Sequence, residues 1–204
     1  MAENIVSADN VGIGKPNLKV SGGILRAPRG TARPTDASTP YDPAYLSMGY
    51  VGEDGVTLSA ERDNDPLKVW GQVVVRRAQT SYEVSLTFTL VESRRADTLK
   101  AIAGEDNVEV KGDTIVVHGN EKELPIGQWG IDMLDQGLAR RIDVGSGQIT
   151  EIGDITYADG ELIGYECTLS CYPDENGDAY KELIEVGELG NPGGDGNDGG
   201  GSGE

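Results

Sequence analysis

The sequence predicts a mainly β protein, an antiparallel β-sandwich or barrel with one flanking α-helix and an extended N-terminal arm. Segments that alternate polar and apolar residues recur at intervals of roughly 8–12 residues and are separated by turn signals, which is typical of sandwiches and barrels. A single segment near the middle of the chain instead repeats its apolar residues at helical spacing. We expect the β domain to span residues 47–188.

Residues 1–46 form the predicted arm. This part of the chain is rich in glycine and contains five of the nine prolines, which cannot continue regular hydrogen bonding. We therefore expect an extended chain with at most short strands and no core of its own. The prolines are Pro16, Pro28, Pro34, Pro40 and Pro43.

The predicted strands follow in chain order. The clearest is YEVSLTFTLV, residues 82–91, in which apolar residues occupy one face and Glu83, Ser85, Thr87 and Thr89 the other. VWGQVVVRRAQ precedes it, and DTIVVHG, GQWGIDML, LARRIDV, QITEIGDITY and LIGYECTLSCY follow it. Turn signals lie at residues 121–123, 135–137, 145–147 and 159–160.

The predicted helix covers about residues 94–103, in the segment SRRADTLKAIAGED. Ala96, Leu99 and Ile102 lie on one helical face. Ser93 is the expected N-cap, and Gly104 is the expected C-terminal stop.

Charge and composition exclude several functions. Of the net charge of −18, −13 comes from residues 151–204, and such a balance is unsuited to binding nucleic acid or anionic membranes. Residues 189–204 include eight glycines and almost no apolar side chain, so we expect a flexible acidic tail. No apolar run is long enough to span a membrane, and the N-terminus, with Glu3, predicts no secretory signal.

The sequence contains few histidine and cysteine residues, which many enzymes use for catalysis, and they form no recognisable catalytic motif. The lone histidine, His118, ends a predicted strand, and no nucleophile elbow or catalytic triad is recognisable. Cys167 and Cys171 lie four apart, about 13 Å along a strand, which is too far for a disulfide. We predict free thiols, a reducing compartment of synthesis, no enzymatic activity, and no cofactor or metal.

One acidic segment, YPDENGDAYKELIE, allows two interpretations. Asp174, Asn176, Asp178, Glu182 and Glu185 occupy positions 1, 3, 5, 9 and 12 of a calcium-binding loop. However, the residues before it alternate as a strand does, the sixth position is alanine rather than glycine, and Asn-Gly is a strong hairpin signal. We favour a hairpin and keep a calcium-dependent module as the alternative.

An ordered set of segments resembles the major tail tube proteins of long, non-contractile-tailed bacteriophages. The segments are GGILRAPRGTARPTD, YLSMGYVGEDGVTLS, LKVWGQVVVRR, SLTFTLVES, ADTLKAIAG, WGIDML and GDITYADGELIGYECTLSCYPDENGDAY. Together they cover most of residues 20–185. No single one is specific, and their common order is what makes the resemblance.

The resemblance implies a structural virion protein. Subunits of this family resemble one another in a β-sandwich with a flanking helix, form hexameric rings with a continuous β-barrel around a lumen, and stack into the tail tube. That tube holds the tape-measure protein during assembly and later passes DNA, and it meets tail terminator and distal tail or baseplate proteins. The protein would be made in the host cytoplasm, and its N-terminal arm would contact an adjacent subunit or ring.

Two sets of residues are candidate sites under this interpretation. A wall without cations would not bind DNA phosphates, so polar strand faces are expected to line the lumen. These faces comprise Glu83, Ser85, Thr87, Thr89, Glu166, Thr168 and Ser170. A charged loop from Leu58 to Lys68 is expected to contact the next ring through Arg62, Asp63, Asp65 and Lys68. An ordinary solvated face and a solvated surface loop are the respective alternatives.

The competing function is a monomeric β-sandwich module for adhesion, which would bind carbohydrate or depend on calcium. Such modules present exposed aromatic residues. We expect Trp70, Phe88 and Trp129 to lie inside strands instead.

Overall fold

The computed structural model describes residues 11–19 and 21–186 of the 204-residue chain. Within them it contains nine strands and one α-helix, α1. The bounds are β1 Gly23–Pro28, β2 Leu46–Lys68, β3 Val74–Leu90, α1 Ala96–Ala103, β4 Val108–Lys111, β5 Thr114–Val117, β6 Gly127–Asp135, β7 Leu138–Ile152, β8 Tyr165–Cys171 and β9 Lys181–Ile184. No described helix is long and apolar enough to cross a membrane.

Six of the strands close on themselves. The order β6-β1-β2-β3-β8-β7 is antiparallel throughout, and β7 also pairs with β6, so the sheet forms a closed layer around a core. β9 adds to the outer part of β7, and β4 and β5 form a separate hairpin. The predicted fold class, an antiparallel β-sandwich or barrel with a flanking helix, is confirmed.

Alternating side chains fill the core. Leu86, Phe88, Cys167 and Leu169 point inward from β3 and β8 and are almost fully buried, as the period of two predicts. Both cysteines are free, and burial raises the pKa of each thiol to about 12. The prediction of buried free thiols is confirmed.

The helix is shorter than predicted. It begins at Ala96, and Arg95 rather than Ser93 occupies the N-cap position, without a side-chain cap. Gly104 ends it with φ of 92°, as predicted. Thr98 fixes the helix to the sheet, because its hydroxyl is buried and donates to the carbonyl of Met48 at 2.9 Å.

One predicted turn is wrong. Residues 145–147 lie in the buried middle of β7 and do not separate two strands. The glycines make room for crossing side chains: a Cβ on Gly145 would lie 2.6 Å from Arg33 Nη1, and one on Gly147 2.9 Å from Trp129 Cδ1. The turn at residues 135–137 is confirmed by positive φ at Gln136 and Gly137.

Part of the predicted arm belongs to the sheet. β1 pairs with β2 on one side and with β6 on the other, and its Ile24 is fully buried. The segment after β1 is held by charged groups: Arg33 Nε donates to Asp143 at 2.7 Å, and Tyr41 lies against the Arg141 guanidinium at 4.3 Å. The arm thus contributes a core strand and a pinned outer segment.

Candidate functional site

The seven residues predicted to line a lumen form one surface. β3 and β8 are neighbours, and their register places Ser85 opposite Ser170 and Thr87 opposite Thr168. Thr89 likewise lies opposite Glu166. All seven side chains lie on the face that points away from the core, and each is partly or fully exposed.

This surface continues onto the two flanking strands. β2 places Thr57, Ser59 and Glu61 directly opposite Thr87, Ser85 and Glu83. On β7, the Thr150 and Ser170 hydroxyls are 2.8 Å apart, and Glu151 lies opposite Thr168. We call the combined surface the polar face: Thr57, Ser59, Glu61, Glu83, Ser85, Thr87, Thr89, Thr150, Glu151, Glu166, Thr168 and Ser170.

The sequence contained a signal for the missed β2 residues. Val56, Leu58 and Ala60 alternate with Thr57, Ser59 and Glu61, which is a strand pattern. The acidic residues that follow led to the prediction of a loop.

The polar face carries negative charge and no cation. Its four ionisable side chains are Glu61, Glu83, Glu151 and Glu166, and the other eight are serines and threonines. Such a surface repels a polyanion and offers no group that neutralises phosphate.

Both borders of the polar face are open strand edges. β1 covers the outer edge of β2 only as far as Tyr50, and β6 covers the outer edge of β7 only as far as Gly147. Beyond these residues neither edge has a strand partner within residues 11–19 and 21–186. Exposed edges present unpaired N–H and C=O groups and are sites of pairing with another strand.

The predicted ring-stacking loop is a β-strand, which corrects the expectation for Leu58–Lys68. These residues belong to β2 and pair with β3 through most of their length. Beyond the last β3–β8 pair, Val84 with Cys171, β2 and β3 continue as a two-stranded hairpin. At about 3.3 Å per residue, its ten β3 residues project roughly 30 Å from the sheet.

Three of the four predicted stacking residues make contacts within this hairpin. Arg62 lies over the Tyr82 ring at 4.2 Å, Asp63 accepts from Ser81 at 2.8 Å, and Lys68 Nζ donates to Gln72 at 3.4 Å. Asp65 lies opposite Ala78. All four are exposed, so their role between rings stays a prediction.

The position of one tryptophan in this hairpin differs from the prediction. Trp70 lies in the turn between β2 and β3 and is fully exposed, contrary to the prediction that it lies inside a strand. Phe88 and Trp129 are buried strand residues, with ring centroids 6.1 Å apart.

The acidic segment after β8 is neither a hairpin nor a helix-loop-helix. It connects β8 to β9, but β9 pairs with β7, so the predicted hairpin is wrong. Its candidate ligands are engaged separately: Asp174 binds Arg33 at 2.5 Å, Glu182 binds Arg140 at 2.7 Å, and Glu185 accepts from Ala139 N. Within the described part of the chain, no group of three or more His, Cys, Asp or Glu side chains could hold a metal ion.

These features define a class of protein. An open-edged sheet with one polar face and an exposed projecting hairpin is typical of a subunit that is completed by further copies. The sequence model of the family described as phage tail tube protein matches residues 20–185. The chain belongs to the phage tail tube protein family, and it is a structural component of the virion tail and not an enzyme.

Three solved structures are similar at low sequence identity. The cap of the anti-feeding prophage has a TM-score of 0.45 at 7% identity, covering 90% of this chain and 99% of that one. The sheath-tube complex of the PVC extracellular contractile injection system has 0.44 at 7% identity, covering 88% and 99%. The anti-feeding prophage baseplate has 0.42 at 8% identity, covering 85% and 96%. No curated protein matches the sequence.

Proposed function

We propose that the protein polymerises as stacked hexameric rings into a tail tube, with the polar face lining the lumen through which DNA is ejected. The observation that supports this proposal is the polar face itself: it is free of cations and is bordered on both sides by open strand edges. One copy can therefore extend the sheet of the next.

Strand direction supports a continuous barrel. β2, β3, β8 and β7 alternate in direction, so the outer edge of β2 runs antiparallel to that of β7. If β2 of one copy pairs with β7 of its neighbour, the alternation continues across the junction. Pairing would also satisfy the backbone groups that each isolated subunit leaves open.

The dimensions of such a barrel suit a conduit. Four strands from each of six copies give about 24 strands, and a spacing of ~4.8 Å gives a circumference of about 115 Å. The corresponding diameter is about 37 Å, and strand tilt widens it further. Barrels of fewer strands already enclose aqueous channels.

The remaining roles follow from the resemblance and belong to the same proposal. The growing tube would hold the tape-measure protein and would contact tail terminator and distal tail or baseplate proteins at its ends. The subunit would be synthesised in the host cytoplasm, and residues of the N-terminal arm would contact a neighbouring copy. The lumen wall would pass DNA without binding it, because all four of its ionisable groups are carboxylates.

Electron microscopy of the purified full-length chain tests the proposal. The expected result is six-fold rings or hollow tubes. A protein that stays monomeric at all concentrations, with or without crowding agents, would contradict it.

Cysteine cross-linking tests the ring junction directly. Glu151 shares a row of the polar face with Thr57, so the edge of a neighbouring β2 should bring Thr57, Ser59 or Glu61 close to Glu151. Glu151→Cys combined with one of Thr57→Cys, Ser59→Cys or Glu61→Cys should give a disulfide ladder that ends at six subunits. Ser85→Cys with Glu151→Cys is the matched control, because β3 is an inner strand, and it should give no ladder.

A further inference from the structure

The tip of the projecting hairpin combines apolar and basic side chains. We call residues 67–77 the tip. It contains no Asp or Glu, and its cations are Lys68, Arg76 and Arg77. The exposed apolar side chains are Leu67, Val69, Trp70, Val73, Val74 and Val75. A cluster of this kind on a soluble chain marks a contact surface, and tryptophan is the residue type most enriched at energetically dominant positions of interfaces.

The opposite end of the same sheet combines apolar and acidic side chains. We call residues 50–54 and 153–162 the base. It contains no Lys or Arg, and its acids are Glu53, Asp54, Asp154, Asp159 and Glu161. Tyr50, Ile155, Tyr157 and Leu162 are exposed there, Tyr157 by 74% and Leu162 by 78%.

The register places tip and base at opposite ends of one long hairpin. The base adjoins the end where β3 finishes and β8 begins, since Leu90 pairs with Tyr165 and Gly153 N donates to Glu166. From Val56 to Lys68, where β2 pairs regularly with β3, the strand extends about 40 Å at ~3.3 Å per residue. A subunit therefore cannot cover its own base with its own tip, but a second copy in the same orientation can.

We propose that the tip of one copy docks on the base of the copy in the next ring, with Trp70 packed against Tyr157 and Leu162. Lys68, Arg76 and Arg77 then face Asp154, Asp159 and Glu161. The contact joins two different surfaces of the same chain, so it repeats without closing and produces a filament. This inference rests on the proposed tube function and specifies which residues join one ring to the next.

The complementary charges make the contact directional. Tip against tip brings cations together, and base against base brings carboxylates together, so only the head-to-tail arrangement is favourable at both surfaces. Part of the attraction is screened by salt, whereas the apolar contact of Trp70 is not.

Point variants of the full-length chain test the docking. Trp70→Ala should raise the protein concentration needed for tube elongation at least about tenfold, because an anchor side chain is lost. Rings should still form, since the polar face and its edges are unchanged. Val110→Ala is the matched control: Val110 is an exposed apolar residue on β4, outside tip and base, and its variant should assemble as the wild type does.

Charge reversal identifies the partner surface. Arg76→Glu with Arg77→Glu should abolish stacking, and so should Asp159→Lys with Glu161→Lys. Combining all four substitutions in one chain should restore tubes, because attraction returns with opposite sign. Stacking by either reversed variant at 50 mM salt, or no restoration in the combined chain, would overturn the docking.

A cysteine pair separates failure of the docking from failure of the proposed function. Val73→Cys with Ala158→Cys leaves Trp70, Tyr157 and Leu162 in place, and it should form intermolecular disulfides in tubes but not in isolated rings. If the wild type forms tubes and the Trp70→Ala variant elongates as well as the wild type, the docking is wrong but the proposed function stands. A wild-type chain that never leaves the monomeric state would overturn both.

Discussion

At the scale of single residues, two arginines next to each other in sequence have very different surroundings. Arg141 Nε donates to Asp132 at 3.0 Å, and both side chains are buried. Arg140 binds Glu182 at 2.7 Å, but its side chain is 46% exposed. Burial determines the cost of removing each cation, since an unpaired carboxylate inside a protein has no water to solvate it.

Arg141→Met should therefore lower the free energy of unfolding by about 3–5 kcal/mol, because it leaves Asp132 buried and unpaired. Arg140→Met, the matched control, should cost at most about 1 kcal/mol, as expected for an exposed pair. Urea unfolding at low protein concentration measures both. Equal losses in the two variants would show that burial does not govern the contribution of Arg141.

The side chain of Asp174 makes the free energy of unfolding depend on pH in the acid range. The hydrogen bond from Arg33 is the main reason that its pKa falls to about 2, and the backbone N–H groups of Asn176 and Asp178 also favour the ionised form. The folded-state pKa lies below the unfolded value of about 3.9. The stabilisation is therefore complete above about pH 4 and is lost as the pH falls through about 2.

The variant Asp174→Asn should remove this dependence. We expect it to unfold at lower urea than the wild type at pH 7, with the difference between the two proteins shrinking as the pH approaches 2. Urea midpoints at pH 7, 4 and 2.5 measure the effect. A difference that is the same at all three values would contradict the assigned role of the ionised carboxylate.

The partners of these charged residues could not be predicted from the sequence. Arg33 and Asp143 are separated by 110 positions, and Arg33 and Asp174 by 141. Such contacts depend on which strands become neighbours, and local patterning carries no information about that. For the same reason the glycines of β7 looked like a turn, although Arg33 and Trp129 cross over them.

At the scale of elements, a strand can be predicted from the sequence where one of its two faces is buried. β3 and β8 have one face in the core and one outside, so their alternation predicted both strands and seven residues of the polar face. The outer parts of β2 and β3 have no buried face. Without a buried face there is no period-two apolar signal, and residues 62–68, beyond the alternating residues 56–61, therefore resemble a loop.

Accessibility tests the position of the polar face within an assembled tube. Thr87→Cys places a thiol at the centre of the face, and Thr114→Cys places one on the separate β4–β5 hairpin. Biotin-maleimide is small enough to label both in tubes, whereas streptavidin is too large to enter the lumen. We expect streptavidin to decorate Thr114→Cys tubes at once and Thr87→Cys tubes only after they are dissociated.

The native thiols do not interfere with this measurement, because Cys167 and Cys171 are buried and their pKa values of about 12 keep them protonated. Decoration of intact Thr87→Cys tubes along their length would place the polar face on the outside, as an ordinary solvated surface.

At the scale of the whole molecule, the structure separates into a body with its own core and an exposed extension. The closed layer of β6-β1-β2-β3-β8-β7 encloses the core, whereas the hairpin beyond Glu61 and Glu83 contributes no buried apolar side chain. Isolated two-stranded hairpins are at best marginally stable in water. We therefore expect this hairpin to make contacts outside its own subunit.

Charge is also distributed unevenly over the subunit. The polar face and the base are acidic, and the tip is basic, so one subunit presents opposite charges at the two ends of the same sheet. The tail over residues 189–204, predicted to be flexible, and the first ten residues of the arm lie outside the described residues. The family assignment does not depend on them, since the match covers residues 20–185.

Excision of the hairpin tests this division. Glu61 and Glu83 are directly paired, so replacing residues 62–82 with Asn-Gly should close β2 and β3 through a two-residue turn. We expect the melting temperature of the body to change little, because almost every removed side chain is exposed. Tube formation should be lost, while rings persist through the strand edges of the polar face. Circular dichroism measures the stability of the body, and electron microscopy measures tube formation.

A control in which residues 112–113, the turn of the β4–β5 hairpin, are replaced by Asn-Gly should both fold and stack. A shortened chain that still forms long tubes would show that the hairpin does not join the rings, and a shortened chain that fails to fold would show that the body depends on it.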